Sequence, residues 1–289
     1  MTNASPTLAQ DIDDSVRLAL AEDVGSGDIT AELVAIDQQV TAAIFCKEEA
    51  VLCGSAWASS AFKMVDPDLG LDWKIEEGAA IHVGTRILTI TGSARSILTA
   101  ERTALNFLQT LSGTATVSRY FANLVAHTKV NLLDTRKTLP GLRTAQKYAV
   151  RTGGCHNHRM GLFDAFLIKE NHIAACGSIS NAISQARALG YEKTVEIEVQ
   201  NLEQLQAAIQ AGADVVMLDN FTLTQIVNAV ALNAGRVKLE ASGGIDESTL
   251  VKIAETGVDY ISIGSLTKHC HAIDFTLLLN LDWINSHAQ

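Results

Sequence analysis

Six short apolar runs between residues 130 and 265 constrain the fold of this chain more than any other feature. Each run ends in polar residues or glycine and is followed by a helical segment, at spacings of 20–35 residues. Strands and helices that alternate in this way form parallel βαβ units. Stretches such as VVML and YISI are continuously apolar, as strands covered on both faces of a parallel sheet are. The runs are 130–137, 163–171, 194–201, 214–220, 237–244 and 259–265.

Polar residues cluster at the carboxyl end of each run, which is the face that carries the active site in an α/β barrel. The last two runs end in SGG and IGS, which expose backbone N–H groups that suit a phosphate. A doubly wound open sheet would also bind ligands at the carboxyl ends. That fold favours a glycine-rich first loop, however, and the first loop here is DTRKTLPG. We therefore predict an α/β barrel, incomplete or open because only six units are evident.

The first half of the chain has a mixed pattern that predicts a smaller α+β unit. Helical spacing is found over 8–23 and 55–65, and short strands are expected at 40–46, 71–75 and 86–91. A long helical stretch between Ile97 and His127, which we expect Gly113 to interrupt, joins the two halves.

Charge and cysteine usage exclude several classes of protein. With 22 Lys and Arg against 32 Asp and Glu, the formal net charge is −10, whereas nucleic-acid binders usually carry a basic excess. No apolar run approaches the roughly 18 residues that span a bilayer, and MTNASPTLAQDIDD has neither a basic segment nor an apolar stretch typical of a secretory signal. The five cysteines form an odd set without a C-x-x-C pair, as expected for reduced thiols in a cytoplasmic protein.

One window of this acidic chain is basic. Residues 134–172 contain seven Lys or Arg against three Asp or Glu. Within it, Arg143, Lys147 and Arg151 have helical spacing and are better explained as a solvated helix face. Arg136, Lys137 and Lys169 instead follow strand ends, where converging cations require an anion. The sequence therefore predicts an anionic ligand at this rim.

Glu198 and Asp219 end neighbouring runs on the same predicted rim. Carboxylates there could hold a hydrated Mg²⁺ together with substrate phosphates, or stabilise a developing positive charge. Bonding to neighbouring lysines is an equally simple explanation of the two residues alone. The nearby SGG and IGS loops favour the phosphate and metal interpretation.

Three other chemistries are less consistent with the cysteine, histidine and lysine residues of the chain. Cys155, His156 and His158 could belong to a zinc site, but no fourth ligand has suitable spacing. Lys169 could form a Schiff base, as in a barrel aldolase, but this requires a depressed pKa that a bound anion would oppose. Three further thiols are better explained as small core residues than as nucleophiles; they are Cys53, Cys176 and Cys270.

The central block DTRKTLPGLRTAQKYAVRTGGCHNHRMGLFDAFLIKENH, at 134–172, closely resembles the quinolinate phosphoribosyltransferase family. Further matching motifs are ERTALNFLQTLSGTAT (101–116), EIEVQN (196–201), VVMLDN (215–220), LEASGGI (239–245) and ISIGSLTKH (261–269). The resemblance covers nearly the whole chain, and its central block is highly specific.

This resemblance implies an amino-terminal α/β sandwich over residues 1–113, joined by 273–289, and an open, incomplete α/β barrel over 114–272. It implies a homodimer or an assembly of dimers, in which the sandwich of one subunit covers the barrel mouth of the other. The implied reaction joins quinolinate to 5-phosphoribosyl-1-pyrophosphate with Mg²⁺ and no organic cofactor. Its products are nicotinate mononucleotide, pyrophosphate and CO₂, a step of de novo NAD biosynthesis.

The resemblance also implies roles for individual residues, carried over by position. Those matching the pocket for the quinolinate carboxylates are Arg136, His158, Arg159 and Lys169, while Arg102 matches an arginine contributed across the dimer interface. Those implied near phosphoribosyl pyrophosphate are Lys137 and Lys169, with Glu198 and Asp219 on the ribose and metal side, directly or through water. Thr135 is implied to bind substrate. Those matching the 5′-phosphate loops are Ser242, Gly243, Gly244, Ile263, Gly264 and Ser265. The implied catalytic residues are Lys137, Lys169, Glu198 and Asp219.

One departure leaves a choice open. After IGSLT the chain has Lys268 followed by His269, where some family members place a histidine directly, so either residue could contact a phosphate. Two other functions also remain to be separated from the implied one. They are a paralogue that binds anionic small molecules without this chemistry, and an aldolase that uses Lys169.

Overall fold

A computed structural model of the chain describes residues 7–279. The described residues form two compact units. The first unit takes in residues 7–119, 139–154 and 269–279, and the second takes in 120–138 and 155–268. The segment 139–154, which the sequence assigned to the barrel half, therefore lies in the first unit.

The first unit contains four α-helices, a 3-10 helix at Ala31–Leu33 and six strands among the described residues. Its helices are α1 (Leu8–Val24), α2 (Ser55–Val65), α3 (Ala94–Leu124, whose last residues enter the second unit) and α4 (Arg143–Thr152). Its strands are β1 (Gln39–Cys46), β2 (Ala50–Val51), β3 (Gly70–Trp73), β4 (Ala80–Ile81), β5 (Arg86–Ser93) and β12 (Phe275–Leu279).

An antiparallel sheet with the strand order β12-β1-β5-β3 forms the centre of the first unit. Its apolar side chains, among them Ile44 and Ile90, are completely buried with helix residues such as Phe62. Strand β12 supplies one edge of this sheet, and residues 280–289 of the predicted joining segment lie outside the described residues. The strands and helices predicted in this half are confirmed.

The expected interruption of the long helix at Gly113 is wrong, because α3 continues through it. Gly113 is required for close approach rather than for a break. A Cβ atom at this position would overlap the carbonyl oxygen of His271. The residue therefore lets another backbone segment pack directly against the helix.

The second unit is built on six parallel strands, with helices between them. The strands are β6 (Asn131–Leu133), β7 (Phe166–Ile168), β8 (Val195–Val199), β9 (Val215–Asp219), β10 (Lys238–Ser242) and β11 (Tyr260–Ser262). The helices are α5 (Glu170–Cys176), α6 (Ile179–Ala188), α7 (Leu202–Gln210), α8 (Leu223–Asn233), α9 (Glu247–Ala254) and α10 (Ser265–Lys268).

The strand order β6-β11-β10-β9-β8-β7 identifies the sheet as an open barrel. Neighbours follow chain order all the way round, the last strand pairs with the first, and a single gap separates β6 from β7. Each of the six predicted runs contains one of these strands, so the predicted fold class is confirmed.

Helix starts in this unit follow from local sequence. Ser178, Asn201, Thr222 and Asp246 each accept a backbone N–H in the first turn of the following helix. Such caps satisfy donors that would otherwise lack partners. Among residues 7–279, no helix combines the length and apolar character needed to cross a membrane.

Candidate active site

The two glycine loops lie at the carboxyl ends of β10 and β11, as predicted. Gly243 has a φ of +102°, and a Cβ atom there would overlap the Oδ1 atom of Asn220. A Cβ atom on Gly264 would lie 3.1 Å from Cδ of Lys137 and 3.7 Å from Oγ1 of Thr135. Glycine is therefore required at 243, whereas a Cβ atom at 264 would need only a small shift of the Lys137 side chain, which packs over the second loop.

The loop after β6 is fastened to the loop after β11. The Thr267 hydroxyl donates to the Lys137 carbonyl at 2.9 Å, and the Lys137 N–H donates to the Thr135 hydroxyl at 3.1 Å. These bonds fix the backbone that carries Arg136 and Lys137. The structure thus brings Thr135 and Lys137 together with Gly264.

Arg136 lies close enough to Arg159 to influence its charge. Partial burial, and then the charge of Arg136, lower the pKa of Arg159, while Glu196 and Asp164 act in the opposite direction. Arg159 also donates from its guanidinium to the Ala165 carbonyl at 3.3 Å. Two neighbouring cations create a positive potential that an anion would neutralise.

The segment that carries Arg159 is held from both ends by two acids, Asp134 and Asp164. Asp134, fully buried after β6, accepts the His158 N–H at 2.9 Å and the Asn157 side-chain amide at 2.6 Å. Asp164 accepts the N–H groups of Met160 and Gly161 at 2.6 and 3.1 Å. The segment is therefore anchored on either side of Arg159.

A second group at the rim combines two carboxylates and a lysine. The Lys169 ammonium contacts Glu198 at 2.6 Å, with the lysine side chain half exposed and that of Glu198 mostly buried. Burial, followed by the negative charge of Glu198, raises the pKa of Asp219, and Lys169 partly counters this. The three residues come from adjacent strand ends, so the predicted juxtaposition is confirmed.

His158 lies mostly buried, with its ring against two acidic side chains from the strands. Its Nε2 atom is 2.9 Å from Glu196 and 3.6 Å from Glu240, while its Nδ1 atom accepts the Arg159 N–H at 2.8 Å. Among the described residues, these three form the one group of potential metal ligands whose donor atoms all lie close to one another. This trio is a different set from the rival zinc ligands Cys155, His156 and His158. Burial raises the pKa of Cys155 to about 12, which disfavours the thiolate form that binds zinc.

The sequence analysis did not single out Glu196 or Glu240 as functional. Both are buried within strands, at 5% and 1% exposure. A signal was present, because an ionisable residue inside an apolar parallel strand is costly without a partner. Glu196 also stands two positions before Glu198, so both side chains of β8 face the same side of the sheet.

Several other predictions fall outside this geometry. Arg102 is exposed on α3 in the first unit, and Lys268 and His269 are exposed in different units, so their roles stay predictions. The solvated helix face is wrong for Lys147, which is 1% exposed in α4, whereas Arg151 is exposed and Arg143 is partly exposed. Cys53 is buried as expected, but the core assignment is wrong for Cys270, which is exposed, and Cys176 is only partly buried.

The fold and rim together define an α/β-barrel protein built to bind phosphate-bearing anions. Two family models match the chain. Residues 28–112 match the N-terminal domain of quinolinate phosphoribosyl transferase, and residues 114–278 match its C-terminal domain. The chain therefore belongs to the quinolinate phosphoribosyltransferase family.

Curated relatives and solved structures agree with this assignment. The chain is 41% identical to a probable nicotinate-nucleotide pyrophosphorylase [carboxylating] of Bacillus subtilis, over 90% of each chain. A nicotinate-nucleotide pyrophosphorylase structure from Francisella tularensis shares 48% identity at a TM-score of 0.90, covering 96% of this chain and 98% of that one. A NadC structure from Streptococcus pyogenes shares 40% identity at a TM-score of 0.92, with 96% and 99% covered.

Proposed function

We propose that this chain converts quinolinate and 5-phosphoribosyl-1-pyrophosphate to nicotinate mononucleotide, pyrophosphate and CO₂, in NAD biosynthesis. The observation that carries the proposal is the neighbouring pair Arg136 and Arg159 on the barrel rim. That rim also carries the two glycine loops, one of them beneath Lys137. Family membership and the names of the relatives support the same activity.

Arg136 and Arg159 hold the carboxylates of quinolinate in this proposal, together with Lys169. A guanidinium can bind a carboxylate through two parallel N–H donors, which fixes orientation as well as charge. Mutual repulsion between the two arginines is relieved when the dianion enters. Quinolinate capture therefore restores local charge balance, and the ring nitrogen is aligned for attack.

The glycine loops receive the 5′-phosphate of the second substrate. Ser242, Gly243 and Gly244 form one loop, and Ile263, Gly264 and Ser265 form the other. Backbone N–H groups in such concave loops bind phosphate oxygens. Lys137 adds a positive charge beside the second loop, where its side chain packs on Gly264.

Glu198 and Asp219 suit the ribose and metal side of the substrate. Mg²⁺ binds through one or two carboxylates plus substrate phosphates and water rather than in an all-protein cage. Two carboxylates with interacting charges match that requirement. When bound, Mg²⁺ neutralises charge on the departing pyrophosphate.

The chemistry follows from these positions. The bond between ribose C1 and the pyrophosphate oxygen breaks, and the pyridine nitrogen forms a new bond to C1. Positive charge that develops on the ribose is stabilised by Glu198 and Asp219. The quaternised ring nitrogen then withdraws electrons as the C2 carboxylate leaves as CO₂. A proton replaces it on the ring carbon, so no organic cofactor is needed.

The alternative of an aldolase is disfavoured by the environment of Lys169. Its ammonium is paired with Glu198 at 2.6 Å, and a neighbouring negative charge favours the protonated form. A Schiff-base lysine must instead be available as a free amine. A paralogue that binds anions without catalysis would not require the carboxylates Glu198 and Asp219 beside the cations.

The assembly is part of the proposal. We expect a homodimer or an assembly of dimers in which Arg102 completes the site of the partner subunit, since this arginine is exposed on α3. Action in the cytoplasm is expected from the cysteine pattern. No nucleic acid or membrane partner is expected.

The test is a coupled assay with quinolinate, phosphoribosyl pyrophosphate and Mg²⁺ that follows pyrophosphate and CO₂ together. We expect equal amounts of both, and no pyrophosphate release when Mg²⁺ is chelated. If nicotinic acid replaced quinolinate as a substrate with equal efficiency, the assignment would be contradicted. Borohydride trapping of a carbonyl compound on Lys169 would support the aldolase instead.

A further inference from the structure

Asn220 follows the last residue of β9 and adopts a backbone conformation that side chains rarely take. Its φ is +55°, in the left-handed region, and the residue is exposed on the barrel rim. Asparagine enters this region more readily than most residues, but glycine does so at a lower cost. The shape of the backbone alone would therefore be met as well by glycine, so the side chain of Asn220 has to be considered for its contacts.

The backbone of Asn220 extends the pairing of β9 with β10 by one residue. Its N–H donates to the Ser242 carbonyl at 2.9 Å, directly after the register pair of Asp219 and Ser242. Asn220 is thereby fixed against the first residue of the loop that continues into Gly243 and Gly244.

The side-chain amide of Asn220 contacts both of its neighbours on the rim. A Cβ atom on Gly243 would overlap the amide oxygen, Oδ1, and would lie 3.0 Å from the Asn220 backbone nitrogen. The hydrogen of Gly243 that takes the place of a Cβ atom therefore faces Oδ1, and such C–H contacts with a carbonyl oxygen are weakly attractive. The amide group also forms a hydrogen bond with the Asp219 side chain.

These two contacts require one orientation of the amide. A carboxylate can only accept hydrogen bonds, so the amide nitrogen has to face Asp219. The amide oxygen is then directed to Gly243, in agreement with the overlap described above. The side chain of Asn220 is therefore held between the carboxylate on one strand end and the glycine loop on the next.

The residues on either side of Asn220 belong to two subsites for one substrate. In the proposed function, Asp219 lies on the ribose and metal side of phosphoribosyl pyrophosphate, while Ser242, Gly243 and Gly244 receive its 5′-phosphate. The ribose and its 5′-phosphate are joined covalently, so the spacing of the two subsites decides whether both groups can bind at once.

We propose that Asn220 is a positioning residue that holds the Asp219 carboxylate and the 5′-phosphate loop at the spacing that phosphoribosyl pyrophosphate requires. Its amide nitrogen fixes the direction of the carboxylate, and its amide oxygen and backbone N–H fix the loop. This inference rests on the proposed function, because the roles of the two subsites are taken from it.

The first test measures the binding of phosphoribosyl pyrophosphate to the full-length protein by isothermal titration, with Mg²⁺ and without quinolinate. Asn220→Gly keeps the left-handed backbone and removes the amide. We expect its Kd to rise about tenfold, as the loss of a hydrogen bond to a charged group does. A Kd within about twofold of that of the unmodified protein would overturn the proposal.

Ala234→Gly is the matched control for this variant. Ala234 is also an exposed residue with a left-handed backbone, at a φ of +48°, but it follows helix α8 instead of a strand. Glycine relieves the same backbone strain there without removing a polar side chain, so the Kd should stay unchanged. An equal rise in both variants would show that added backbone freedom is responsible, and the amide would have no positioning role.

Asn220→Asp separates the hydrogen bond from the shape of the side chain. Aspartate has nearly the same size, tolerates the left-handed region and keeps an oxygen beside Gly243. Its second oxygen takes the place of the N–H donor, so the Asp219 carboxylate meets an acceptor instead. We expect the Kd to rise at least as much as in Asn220→Gly, and retention of the original affinity would refute the proposal.

Steady-state kinetics supply a readout that general loosening of the structure would not produce. In Asn220→Gly the KM for phosphoribosyl pyrophosphate should rise about tenfold, whereas the KM for quinolinate should stay within about twofold. Equal rises in both KM values would contradict a role specific to the ribose and its phosphate. Failure of the unmodified protein to bind phosphoribosyl pyrophosphate, or to release pyrophosphate from it with quinolinate, would instead refute the proposed function itself.

Discussion

If quinolinate binds between Arg136 and Arg159, as proposed, these are the residues whose loss should affect its affinity most. Arg159→Ala or Arg136→Ala should weaken quinolinate binding by about 2–5 kcal/mol, as truncation of a buried charge partner does. Binding is measured by isothermal titration of quinolinate, and the KM for phosphoribosyl pyrophosphate should change far less.

Arg187→Ala provides the control for that experiment. Arg187 belongs to the same unit and forms an exposed ion pair with Asp214 at 2.7 Å. Exposed pairs of this kind contribute little. Quinolinate affinity in this variant should match that of the unmodified protein, and unchanged affinity in Arg159→Ala would refute the carboxylate pocket.

At the residue scale, the sequence predicted which residues form the site better than it predicted the contacts around them. Arg136, Lys169, Glu198 and Asp219 follow strand ends, and parallel strands bring such ends together, so their juxtaposition was predictable. The burial of Lys147 was not, since periodicity gives a helix face but not what packs on it. The ring contacts of His158 depend on Glu196 and Glu240, which lie on two other strands.

At the scale of elements, the loop after β10 offers a test of phosphate binding. Gly243→Ala should raise the KM for phosphoribosyl pyrophosphate at least tenfold, because a methyl group there overlaps Asn220 and displaces the loop. Gly212→Ala is the control, with a φ of +81° and no atom near the added methyl. Equal KM values in the two variants would show that left-handed strain alone, and not the loop's shape, is being measured.

Helix α3 offers a second test, on stability. Helix propensity alone predicts that Gly113→Ala stabilises the protein by about 1 kcal/mol. We expect a lower free energy of unfolding instead, because the new Cβ atom overlaps the His271 carbonyl.

Urea unfolding measures this effect, and Asn106→Ala, at an exposed position of the same helix, is the comparison. That variant should retain or slightly gain stability. A gain in Gly113→Ala would contradict the close-packing explanation. The sequence could reveal this helix but not the reason for its glycine, since the neighbouring segment is 158 residues further along the chain.

At the scale of the whole molecule, the repeated strand–helix pattern was sufficient to predict an open barrel, because six parallel units leave few topologies. Chain order alone did not predict that residues 139–154 belong to the first compact unit. Long-range packing decides the boundaries between compact units, and the local sequence pattern does not predict that packing.

Sharing of the site between subunits is the last consequence of the proposed function, and it can be tested by mixing two inactive variants. If Arg102 acts across the interface, a dimer of one Arg102→Ala subunit and one Lys169→Ala subunit contains one intact site and one doubly altered site. Such dimers, purified through two different tags, should regain up to half of the unmodified activity. Dimers of Arg136→Ala with Lys169→Ala should stay inactive, because both residues belong to the same subunit's site. Absence of regained activity in verified mixed dimers would place Arg102 outside the partner's site.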